Sequence, residues 1–101
     1  MQGLDDKNLI IQFCKDQLPK NYKLHNYFEN KKSICIQFSA PINTQLGTIN
    51  NLILFQIRKD KQNNIFCNAF LQQEGTQTSF TKKFNDYYFG VHPKEEESEN
   101  L

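Results

Sequence analysis

The chain predicts a two-layer α+β domain, with one N-terminal helix packed on a four-stranded antiparallel sheet. Three observations carry this. Leu9, Ile10, Phe13, Cys14 and Leu18 recur at the i, i+3, i+4 spacing of one helix face. Four short runs between Ser33 and Val91 have strand character. The connections between them are short, which favours antiparallel neighbours. A sheet with one apolar face needs a cover, and the amphipathic helix supplies it.

The helix is expected at about residues 5–18. Asp5 and Asp6 stand at its start, where a carboxylate caps free N–H groups and meets the positive end of the helix dipole. Pro19 ends it, having no N–H to donate. Residues 20–32 leave two readings open, a second helical turn or an irregular lead-in, with Tyr22, Leu24, Tyr27 and Phe28 apolar enough to pack on the body. Lys31 and Lys32 mark a surface turn.

From Ser33 to Ser39, Ile34, Ile36 and Phe38 alternate with Cys35, Gln37 and Ser39, the period of a half-buried strand. Pro41 is expected to end it. A loop around Gly47 fills residues 40–50. Asn51 to Lys59 is the second strand, with Ile53, Phe55 and Ile57 on one face, and residues 59–64 form an exposed connection. Ile65 to Gln72 is the third strand. Gly75 lies in a polar loop over roughly 73–79. Phe80 and Phe84 open a candidate edge strand, and Tyr87 to Val91 is read as the fourth strand, closed by Pro93.

The 101 residues make one domain, 1–93, followed by an acidic, flexible tail at 94–101. The net charge is +1; the tail holds four Glu and one Lys, so its −3 leaves about +4 on residues 1–93. That is too mild to imply nucleic acid. Lys82 and Lys83 do lie among Phe80, Phe84, Tyr87 and Tyr88, and basic residues between aromatics on a sheet can stack bases. The plainer reading makes those rings core and the lysines surface.

Cys14, Cys35 and Cys67 form no close pair and each sits in an apolar element, so they read as free, core-filling thiols. His25 and His92 are the only histidines and lie far apart in sequence. Neither a Cys–His nucleophile nor a metal set is expected from such spacing. Asp5 and Asp6 are accounted for by capping, and the four isolated glycines make no phosphate-binding loop. The chain reads as a non-enzyme without cofactor or metal. No apolar stretch follows a basic segment near the start, and no run reaches the ~18 residues of a membrane span. A cytoplasmic protein that does not engage membranes is the expectation.

Several residues carry a family likeness. Gly3 is an early glycine before the helix. Thr44-Gln45-Leu46-Gly47-Thr48 leads into a strand. Leu52 to Phe70 makes a strand, hairpin and strand, and Gln73-Glu74-Gly75 forms a later loop. In this order the chain resembles the stefin-type cystatins, intracellular inhibitors of papain-like cysteine proteases. Their first hairpin carries Q-x-V-x-G; here Gln45 and Gly47 are separated by one residue, where the family has three. The resemblance implies inhibition by occlusion. Gly3, the Gln45-Leu46-Gly47 hairpin and the Gln73-Glu74-Gly75 hairpin would form an apolar wedge filling a protease cleft. The competing expectation is a small structural subunit of a larger assembly, docking through a sheet edge or its helix. A single-stranded nucleic-acid-binding module ranks below both.

Overall fold

The computed structural model describes residues 4–90. The chain folds in the order α1 (Lys7–Asp16), β1 (Lys23–Glu29), β2 (Ser33–Thr44), β3 (Gly47–Lys59), β4 (Ile65–Leu71), β5 (Thr76–Ser79) and α2 (Thr81–Tyr88). The α+β class and the antiparallel sheet match expectation. The sheet has five strands where four were expected, and the described residues form two helices where one was expected. The tail expected at 94–101 lies outside the described residues, as do Gly3, Val91 and His92.

The strands lie in the order β1-β2-β3-β4-β5, every neighbour antiparallel. Each is joined to the next by a tight connection, so the sheet is a simple meander. At the β1–β2 turn, Asn30 Oδ1 accepts N–H groups of Lys32 (2.8 Å) and Ser33 (2.9 Å). At the β3–β4 turn, Asp60 Oδ1 accepts those of Gln62 and Asn64, both at 2.9 Å. These bonds, the Asn64 N–H foremost, hold the Asp60 carboxyl below its ordinary pKa.

The first correction is the segment before Ser33. It is β1, paired along β2 from Lys23↔Ser39 to Glu29↔Ile34. A bulge between Leu24 and Asn26 breaks its alternation, and nearly all of it is exposed, which hid it from a pattern search. The second correction concerns residues 80–90, the described part of the expected strands. Phe80, Phe84, Tyr87 and Tyr88 stand at i, i+4, i+7 and i+8, and the segment is a helix rather than strands. The third is the pair of expected loops. Residues 40–50 are mostly strand, and Thr76–Ser79 is the short edge β5.

Both helices cover one face of the sheet. On that face Ile34, Ile36, Phe38, Phe55, Ile57, Ile65, Cys67 and Ala69 are buried with Ile10, Phe13 and Cys14 of α1 and Phe84 of α2. Asp6 caps α1 by accepting the Leu9 N–H at 3.1 Å. Phe13 joins the helices, edge-on to Phe84 at 5.3 Å and beside Tyr87 at 5.4 Å. Each such ring, fully buried, stabilises the fold by roughly 1.5–3 kcal/mol.

Candidate functional site: a projecting hairpin

β2 and β3 are longer than their neighbours. β1 stops pairing at Ser39, and β4 stops at Ile53↔Leu71. The β2–β3 ladder continues alone to Thr44↔Gly47. Residues 41–50 are all exposed. They form a two-stranded arm that reaches about 20 Å from Ala40 to Leu46, at ~3.3 Å per residue.

The base of the arm is clamped. Asn51 Nδ2 donates to the Tyr22 hydroxyl at 2.7 Å. On the other side Gln72 N–H donates to Leu52 O at 3.2 Å, and Gln73 Nε2 donates to Asn50 O at 3.3 Å. At its base the arm's outer edges are therefore poor templates for another strand. Gln72 and Gln73 occupy carbonyls on the β3 edge. Pro41, opposite Asn50, has no N–H to offer on the β2 edge.

The tip is held by its own threonine. Thr44 Oγ1 donates to Gly47 O at 2.6 Å and accepts the Leu46 N–H at 3.2 Å. Gly47 has φ +126°, a conformation that L-residues rarely adopt. Leu46 is 100% exposed at the apex. Ile42 and Ile49 face each other across the arm and extend the core-facing side of the sheet into solvent, 38% and 44% exposed.

In a meander, alternate turns fall at the same end. The Gln45-Leu46-Gly47 hairpin and the Gln73-Glu74-Gly75 turn thus share one end of the sheet, linked by the Gln73–Asn50 bond. Gly75, at φ +70°, closes the second turn with its N–H on Leu71 O at 2.9 Å. Gly3 lies outside the described residues. Leu4 after it is buried in the core, and Asp6 N–H donates to the Tyr88 hydroxyl at 3.1 Å. Along α2, the Cys67 N–H donates to Thr81 Oγ1 and Asn85 Nδ2 donates to Ile65 O. Tyr88 therefore stands beyond Ile65, at the sheet end away from the arm. The structure brings the two hairpins together and has the chain enter α1 at the opposite end.

Other candidate chemistry is dispersed. Cys14 and Cys67 are fully buried and free; the Cys67 thiol and burial push the Cys14 thiol well up, away from nucleophilic character. Cys35 is half-buried on the other side of the sheet, and His25 is exposed on β1. Among the described residues, no three metal-ligating side chains converge. A shallow cleft of about 390 Å³ at the end of α1 is lined by Gln12, Lys15, Asp16, Leu18, Pro19 and Lys20. Its Asp16 already accepts the Gln12 amide at 2.6 Å. The aromatic cluster beside Lys82 and Lys83 turns inward. Phe84 is buried, Phe80, Tyr87 and Tyr88 pack against the core, and Lys82 pairs with Asp86 at 2.9 Å. Stacked bases would have to compete with the core for those rings.

Sequence reasoning placed Leu46 in the right turn but missed the arm. A signal existed: from Ser33 to Ile57 the sequence has no charged residue, an unusual length of uncharged chain for a segment that becomes solvent-exposed. No described helix is long and apolar enough to cross a membrane. No family model matches the chain, no curated protein matches it in sequence, and no solved structure matches it.

Proposed function

We propose that this is a non-catalytic binding protein that inserts the β2–β3 hairpin into the cleft of a protein partner, the partner implied by the cystatin resemblance being a papain-like cysteine protease. One observation carries the reading: a wholly exposed leucine at the apex of an uncharged hairpin that is clamped at its base. Burying Leu46 in a cleft is worth roughly 1.5–3 kcal/mol. A turn already fixed by Thr44 loses little entropy on docking, so most of that energy appears as affinity. With its edges occupied at the base and an apolar side chain at its apex, the arm favours side-chain insertion over strand addition. The neighbouring Gln73-Glu74-Gly75 turn supports the same reading as a second contact at that end. Inhibition would follow from occlusion, with no covalent step.

Titration of a papain-like protease with the full chain tests this. The expected result is inhibition that saturates near a one-to-one ratio and weakens at least tenfold in Leu46→Glu. Full protease activity at micromolar concentrations of the chain would remove this class of partner.

A further inference from the structure

We infer that the face of the sheet that neither described helix covers is a contact surface for a second copy of this chain, forming a weak face-to-face dimer. Both helices lie on the other face, so Phe28, Cys35, Leu52, Leu54, Phe66 and Phe70 point away from the core cluster. Phe28 is 50% exposed and the others are half-buried. Between them stand amides. Gln37, Gln56, Asn68 and Gln77 alternate with the apolar side chains, and Gln37 Nε2 reaches across β3 to Gln72 Oε1 at 3.0 Å.

Two properties of this face select a like partner. The first is charge. The strand residues at its centre are uncharged, and its two cations, Lys23 and Arg58, stand at its margins, Arg58 over the Phe66 ring at 4.7 Å. An apolar, amide-bearing centre with charge at the rim is the make-up of a protein interface. A side-chain amide both donates and accepts, so an amide-bearing face can satisfy its own copy, with no need for opposite charge. The second is area. Four strands about seven residues long and the four-residue β5, ~4.8 Å apart, give a face of roughly 500 Å². Two such faces bury about 1,000 Å², at the ~1,000 Å² that a specific interface needs. Sheets packed this way lie about 10 Å apart with their strands within about 30° of parallel. The area sits at the low end of the specific range, so dimerisation is expected only at micromolar concentrations or above.

The dimer face and the hairpin tip are separate surfaces, so either can fail alone. Sedimentation equilibrium of the full chain, from about 5 to about 500 µM, tests the dimer. The mass should climb from 11.9 kDa toward twice that value. Phe70→Lys and Gln56→Lys should each weaken association at least tenfold while the circular dichroism spectrum is unchanged. Gln56→Lys exchanges one polar side chain for another, so it decides the matter if Phe70→Lys fails to fold. Leu46→Lys at the arm tip should dimerise like the parent chain. A parent chain that stays monomeric at the highest concentration, a Gln56→Lys variant that associates as tightly as the parent, or loss of association in Leu46→Lys would each overturn the inference.

Discussion

Within the single hairpin of β2 and β3, two regions obey different constraints. Residues 33–40 and 51–57 are body: their alternate side chains fill the core, and β1 or β4 pairs with their outer edges. Residues 41–50 are arm: they have the same backbone and the same strand character, but water on both faces and open edges beyond the clamped base. In the body, side-chain volume decides stability. In the arm, side chains are nearly free to change as far as folding is concerned. Ile42, Leu46 and Ile49 are costly to expose, and nothing in the fold requires them to be apolar.

That contrast can be broken at graded cost. The largest effect belongs to the body: Phe84→Ala, which empties the space between Phe13 and Tyr88, should cost about 3–5 kcal/mol in urea denaturation. Gly47→Ala acts at the arm tip through the backbone. No atom lies within 4 Å of the added methyl group, so any loss comes from φ +126° alone, about 1–3 kcal/mol by the same measurement. A value near zero would show that the tip turn relaxes freely.

Tyr27 tests the body's edge by pH. Burial, then the hydrogen bond to Glu29 at 3.1 Å, raise its hydroxyl from the usual 10 to about 12. The folded state thus holds this proton more tightly than the unfolded chain does. The stability it contributes is complete below pH 10 and is lost as pH rises from 10 toward about 12. The melting temperature of Tyr27→Phe should fall less steeply across that window than that of the parent chain. Smallest of all, Leu46→Glu should change stability by no more than about 0.5 kcal/mol, as a surface change does. A large loss there would mean that the tip folds back on something and is not presented.

Legibility in the sequence followed the same division. The core-facing strands and α1 were readable because burial enforces a period, two for Ile34, Ile36 and Phe38, and three to four for Ile10, Phe13 and Cys14. β1 was not readable, because an edge strand with a bulge is held by the ladder to β2 and imposes no alternation on its side chains. The helical spacing of Phe80, Phe84, Tyr87 and Tyr88 was present but was masked by the strand preference of aromatic residues. Pro41 looked like a strand terminator, yet it sits where the ladder has only one partner. The turn that carries Leu46 was legible from Gly47. The arm that displays it depends on where β1 and β4 stop, a property of the neighbouring strands that residues 41–50 do not themselves encode.

The burial of two of the three cysteines carries a last consequence. Cys14 and Cys67 tie α1 to β4 within the core, while Cys35 lies on the opposite side of the sheet and is partly accessible. A thiol reagent would therefore meet one residue in the native protein and the other two only when the helical layer lifts from the sheet. The molecule carries its own clock for that opening, read as the lag between the first sulfur modified and the last.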